Sequence, residues 1–322
     1  MMGSAYDRQT KISNLNESLM RAFPKLEGDI VTFIGSTFMT YGQSEPYKNN
    51  IIVRNSCSAE NMPEGTEIES YETEKDVLLA WQKMVQRENP DIVIGYNIFG
   101  FDYNFMFIRA QENNCETEFL QLSRNVGEIC GTLDKDTQRY KIKQSSVKVA
   151  SGQHDSHIIE MPGRLQVDLH GFYRKNDTSL ESYKLDSVSS HFIGDFVSAV
   201  EPCADGGSTT IRTKNMVGLL PGSYVQFKEI LHSVDYYQEG RKFLVTKVDA
   251  ANKLFCVAAA VAPNMAKKVK WCLVKDDVTP QDIFRLTSGS DVDRAIVAKY
   301  CIQDCNLVHY LFNKSDVLTG VI

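Results

Sequence analysis

A chain of 322 residues that is 43% hydrophobic and 24% charged can bury a full core, either as one large domain or as one domain carrying an insert. Its net charge of −6 argues against a protein that coats nucleic acid non-specifically, since that mode needs clustered Lys and Arg to release counterions, although a carboxylate metal site or a basic groove fits within an acidic total. The longest apolar run, FCVAAAVAP, is far too short for a bilayer, the N-terminal stretch has no apolar leader core, and the eight cysteines show no CxxC pairing, so an intracellular protein with free thiols is expected.

In chain order, residues 1–25 are weakly patterned, with SNLNESLMRAF a candidate short helix before Pro24. DIVTFIGSTFMTYG alternates and is rich in β-branched and aromatic residues, and NNIIVRN is its expected hairpin neighbour. TEKDVLLAWQKMVQREN opens on a Thr cap, sets Val77, Leu78, Trp81, Met84 and Val85 on one helical face and ends before Pro90. DIVIGYN then reads as a parallel strand buried on both faces, and FDYNFMFIRAQEN resumes helical spacing. The order β, β, α, β, α predicts an α/β fold, a mixed sheet with flanking helices.

Between about 123 and 161 the pattern loosens into hairpin-like pieces such as RYKIKQ and HIIEM, after which GRLQVDL reads as a core strand and SYKLDSVSSHFIG as a helix. From 200 to 275 strand-like runs separated by turn residues predict a small β-rich insert. SDVDRAIVAKYCIQDCNLVHYLF is an amphipathic helix with Ser290 as cap and Asp293 three residues on, buried through Ile296, Val297, Leu307, Val308 and Leu311.

Two places carry chemistry. Asp102 stands in VIGYNIFGFDYNFMF, where an ionised group is expensive to bury unless it is paired or coordinates a metal. Tyr300 and Asp304, four residues apart on the last helix, lie on one face and can act on one object. Carboxylates that crowd together repel when ionised, and hard divalent cations, which take oxygen ligands, remove that repulsion.

Asn97-x-x-x-Phe101-Asp102 resembles the second exonuclease motif of family B DNA polymerases, and Tyr300-Cys301-Ile302-Gln303-Asp304 resembles their third. GDIVTFIGSTFMTYGQSEPY, NPDIVIGYNIFGFDYNFMFIRA, GRLQVDL, SYKLDSVSSHFIGD and KDDVTPQDIFRLTSGSDVDRAIVAKYCIQDCNLV extend the likeness over about residues 22 to 312, nearest to polymerases of large nucleocytoplasmic DNA viruses, mimivirus-like ones in particular. The resemblance implies an RNase H-like fold with 3′–5′ proofreading exonuclease activity in DNA replication. Residues 26–199 would be its first part, 200–275 the β-rich insert and 276–322 its C-terminal helical part. It also implies Mg2+ or Mn2+ held by Asp102 and Asp304, with Tyr300 orienting the attacking water. Asn97 would hold DNA and Phe101 would stack on a frayed base or simply pack in the core.

The family's first motif, Asp-x-Glu on a preceding strand, has no counterpart before Asp29; Glu27-Gly28-Asp29 reverses the residue types and reads as solvated loop acids. The expectation is therefore a chain that begins inside an insert of this family, lacks the opening strand of its fold and carries an incomplete two-metal site. No palm motif of the Ser-Leu-Tyr-Pro-Ser or Tyr-Gly-Asp-Thr-Asp-Ser type is present either. Partners implied are a single-stranded DNA 3′ end and primer-template, the remaining polymerase segments and a sliding clamp, within an infected host cell and with no membrane. The alternative is a non-catalytic DNA-binding or interaction module that keeps the fold. Asp168 is expected to cap the following turn. His154, His157 and His170 lack zinc spacing, and Cys301 and Cys305 read as small buried residues. AKKVKW and RYKIKQ are modest basic strips able to touch phosphates or to form a solvated face.

Overall fold

The computed structural model describes residues 10–13, 15, 29–60, 62, 63, 65–149, 152–177, 179–203, 206–275 and 278–321. In the N-terminal unit, Met1–Ile30, residues 10–13 and 15 are helical. The short helix expected over 13–23 lies mostly outside the described residues, as does Glu27-Gly28-Asp29 apart from Asp29. All that follows concerns the second unit, Val31–Ile322.

The expected hairpin is present: β1 (Phe33–Phe38) pairs antiparallel with β2 (Lys48–Arg54), Ile34 opposite Ile52. A further strand, β3 (Thr66–Tyr71), runs parallel to β2. Its sequence, TEIESY, gives a weak strand signal because it is a sheet edge, where charged residues guard the open hydrogen-bonding row: Glu67 binds Lys48 at 2.6 Å and Glu69 accepts from Asn50 at 2.9 Å.

Helix α1 (Glu74–Glu88) starts at Thr73, whose side chain accepts from the Asp76 backbone N–H, and stops where Asn89 turns left-handed before Pro90. Val77, Leu78, Trp81, Met84 and Val85 are buried, each contributing about 1.5–3 kcal/mol of hydrophobic stabilisation before entropy is counted. They pack with α2 (Tyr103–Glu112) and α3 (Glu116–Phe119). β4 (Ile92–Gly95) precedes α2, and two small hairpins follow α3, β5 (Thr132–Leu133) with β6 (Tyr140–Lys141) and β7 (Lys143–Val149) with β8 (Gly152–Ile158). β9 (Leu165–Asp168) then pairs in parallel with β4, and α4 (Leu169–Asn176) and α5 (Leu185–Phe192) close this part.

Seven strands occupy Gly194 to Val274: β10 (Gly194–Pro202), β11 (Thr209–Thr213), β12 (Tyr224–Ile230), β13 (Val234–Tyr236), β14 (Phe243–Asp249), β15 (Leu254–Val257) and β16 (Lys268–Val274). Their order is β13-β12-β14-β15-β11-β10-β16, and β16 also pairs with β12, which closes six of them into a barrel and leaves β13 as an exposed edge strand. The barrel interior, with Phe227, Phe255 and Trp271 fully buried, forms one continuous core with Val167 of β9 and with Leu307, Val308 and Leu311. These last three lie on α7 (Asp291–Lys314), which follows α6 (Pro280–Thr287) and precedes α8 (Val317–Val321). Both α6 and α7 open with a complete capping box, Thr279 with Asp282 and Ser290 with Asp293.

Three expectations change. The sheet is mixed, but β1-β2-β3 and β4-β9 are separate sheets. Helix α7 runs against the free edge of β1, where Cys305 Sγ donates to Gly35 O at 3.4 Å and His309 Nε2 lies 3.1 Å from Thr37 O, taking acceptors that a neighbouring strand would use. DIVIGYN is not buried on both faces; Ile92, Val93 and Ile94 are half-buried because β4 is paired on one side only. Ile296 does not help bury α7: it is 45% exposed, on a helix flank that lines an open cleft.

Candidate active site

The first half of the site grows from the end of β4. Gly95 leaves the strand where any Cβ would stand 2.3 Å from Ile98 Cγ2, Asn97 adopts φ 64°, and Ile98–Asp102 winds as a π-helical turn into α2. Such turns widen the backbone spiral by one residue and re-aim the side chain that follows. Asp168 pins this turn, since its carboxylate accepts from Asn97 N at 2.8 Å, Phe99 N at 3.0 Å and His170 N at 2.9 Å. It caps α4 as the sequence suggests, and it also fixes the backbone that presents Asp102.

Asp102 is not sealed in the apolar interior. Its side chain reaches solvent at a point where protein crowds it on most sides, and this crowding, with the nearby charge of Asp168, pushes its carboxyl up to about 6. Asn97 is exposed. Phe101 is 57% exposed and stacks on Phe105 with ring centroids 5.4 Å apart and planes 12° from parallel, so it is a surface platform and not a core residue.

The second half lies on α7. Tyr300 and Asp304 meet through a residue the sequence reading did not single out, Lys275, which follows β16. Its Nζ donates to Asp304 Oδ2 at 2.7 Å and to the Tyr300 hydroxyl at 3.2 Å, and stands 4.9 Å from the Tyr300 ring centroid. The other oxygen, Asp304 Oδ1, is buried and has no hydrogen-bond partner among the described residues. Burial raises the Asp304 carboxyl to about 6 against the pull of Lys275, with Asp186 adding to the rise. Burial alone would lower the Lys275 ammonium, but Asp304 and Tyr300 outweigh it and hold it above its usual value. The Tyr300 hydroxyl is pushed up by burial and by Asp304, so it stays protonated at neutral pH.

Asp304 and Asp102 both act on the Cys305 thiol, which burial, Cys301 and the two acids hold above its usual value. Neither acid raises the other's carboxyl, no hydrogen bond joins Asp102 to Asp304, and no ligand group of three or more His, Cys, Asp or Glu side chains converges among the described residues. The donors suit a hard divalent cation in type, being carboxylates of which one keeps a buried, unpartnered oxygen. In number they fall short of a two-metal site. Cys301 and Cys305 are free thiols. The only sequence sign of Lys275 is a lysine ending the apolar run VKWCLVK, which says nothing of its partner.

A family model described as the exonuclease domain of DNA polymerase family B matches residues 5–188. The chain is 40% identical over 323 residues to a DNA polymerase of Phaeocystis pouchetii virus, covering 98% of this chain and 31% of that protein. It is 33% identical over 313 residues to a DNA polymerase of Pyramimonas orientalis virus, covering 97% of this chain and 23% of the relative. A DNA polymerase delta catalytic subunit of Candida albicans is 31% identical over 173 residues, 54% of this chain and 15% of the relative. The chain thus spans a third or less of each of these proteins.

Proposed function

The chain belongs to the family B DNA polymerases, as the exonuclease-domain region of a viral-type member, and from that premise we propose that it hydrolyses phosphodiesters at single-stranded DNA 3′ ends in replication proofreading. In this reading β1-β2-β3 and β4-β9 are two parts of one RNase H-like sheet, with 26–199 and 276–322 forming the domain and the barrel inserted between them. The observation that supports the reading is geometric: Asp102 is exposed at the end of the π turn, and Asp304 keeps a buried oxygen that no hydrogen bond among the described residues satisfies.

Asp102 and Asp304 would hold Mg2+ or Mn2+, with the remaining carboxylates coming from polymerase segments outside this sequence. When bound, the ions supply Lewis acidity that makes water a nucleophile near neutral pH and neutralises the leaving oxygen. Tyr300, protonated, positions the attacking water by hydrogen bonding and does not take its proton. Asn97 and the Phe101–Phe105 stack hold the unpaired strand end, the aromatic surface accepting a base of any sequence. Lys275 neutralises Asp304 through Oδ2, and a cation held by Asp304 would have to compete with that ammonium. Partners in this reading are DNA, the other polymerase segments and a sliding clamp, inside an infected cell.

The test is degradation of 3′-labelled single-stranded DNA with Mn2+, by this chain alone and with a fragment carrying Asp-x-Glu. Activity in the mixture that is lost with Asp102→Ala or Asp304→Ala is the expected result. DNA binding with no cleavage in either setting would overturn it in favour of a non-catalytic DNA-binding module, a reading favoured by one feature, the Lys275 ammonium already seated on Asp304.

A further inference from the structure

The barrel's strand register sets four residues side by side. Phe196 of β10 stands opposite Lys270 of β16, Lys270 opposite Lys228 of β12, and Lys228 opposite Tyr236 of β13. Directly opposed residues share a sheet face, and neighbouring strands are about 4.8 Å apart, so the row runs aromatic, lysine, lysine, aromatic over roughly 14 Å. It faces outward: the alternate residues Phe227 and Trp271 are fully buried in the barrel, whereas Phe196 is 50% and Tyr236 48% exposed.

Neither lysine is paired with a carboxylate among the described residues. Lys228 Nζ lies 5.1 Å from the Tyr236 ring centroid and Lys270 Nζ donates to His191 O at 2.9 Å. Both lysines also act on the His191 ring, which burial and their charges lower below its usual value against the opposing pull of Asp177. One strand-step along the same face lies exposed Lys268. Two half-exposed aromatic rings flanking two lysines whose charge no carboxylate among the described residues neutralises form a local surface complementary to phosphates and unstacked bases.

We propose that this row, Phe196, Lys270, Lys228 and Tyr236, is a binding surface for single-stranded nucleic acid outside the hydrolytic site. Lysines take the backbone charge and the two rings take bases. Duplex is a poorer occupant because its bases are already stacked and offer the rings nothing.

The experiment uses the full chain in EDTA and a labelled circular single-stranded oligonucleotide, which offers no 3′ end, with binding read by fluorescence anisotropy across a salt series. Phe196→Ala and Tyr236→Ala should each weaken binding about 5- to 150-fold. Lys228→Gln with Lys270→Gln should flatten the log–log salt slope by about 1.4, or about 0.7 for each phosphate contact. Unfolding midpoints should hold in all variants, since every changed side chain reaches the surface. Unchanged affinity and slope in both sets, or duplex circles bound as tightly as single-stranded ones, overturn the proposal. Asp304→Ala separates it from the nuclease reading, because that change should abolish 3′-end cleavage and leave circle binding intact.

Discussion

Replacing Lys275 with Met removes the cation on Asp304 while keeping most of the stem that packs there. Two unit charges about 4 Å apart interact by roughly 4 kcal/mol at an effective dielectric of 20. The Lys275 side chain is 11% exposed and that of Asp304 29%, so solvent screening reduces this to about 2 kcal/mol. The loss of stability is smaller still, because Asp304, already at about 6, escapes by taking a proton. At pH 7 the variant should be destabilised by about 1 kcal/mol. For a divalent cation the sign reverses: Lys275 already neutralises the same carboxylate through Oδ2, and its removal should tighten Mn2+ binding to that carboxylate about 10- to 30-fold at pH 7.5, read by calorimetry or by the electron paramagnetic resonance of free Mn2+. Unchanged or weaker Mn2+ affinity in Lys275→Met would refute the view that ammonium and metal compete for the charge of Asp304.

The pH dependence follows from Asp304. Its folded value, about 6, lies above the 3.8 of a free Asp, so between those values the folded state keeps a proton the unfolded chain has lost and stability falls as pH rises. Urea denaturation of Asp304→Asn against the parent chain should show about 1–2 kcal/mol less of this decline between pH 4 and 6; parallel curves would contradict it. Asp102 titrates in the same direction, so metal uptake should release protons below pH 6, measurable by pH-stat. Phe101→Ala should leave the unfolding free energy within about 0.5 kcal/mol of the parent while weakening binding of a DNA 3′ end. Arg109→Ala should cost about 3 kcal/mol in chemical denaturation, because it strips a buried partner from Glu74, which Arg109 holds at 2.6 Å with the side chains 8% and 6% exposed.

The helices were legible because their signals are local. The Thr73 and Ser290 caps, the apolar stripe from Val77 to Val85 and the four-residue step from Tyr300 to Asp304 are set within a few residues, where backbone geometry dictates which side chains meet. The Asn97 to Asp102 spacing carried the family likeness for the same reason. What no local pattern contained was pairing over distance. Lys275 meets Asp304 from 29 positions away, β1 gives its edge to α7 270 residues on, and the barrel register alone aligns Phe196, Lys270, Lys228 and Tyr236. Asp102 likewise looked buried by its apolar neighbours in sequence, yet reaches solvent because the π turn re-aims it. Periodicity tells a segment which face to hide. Which segment covers that face, and which charge lies opposite, is decided by close packing of the whole chain.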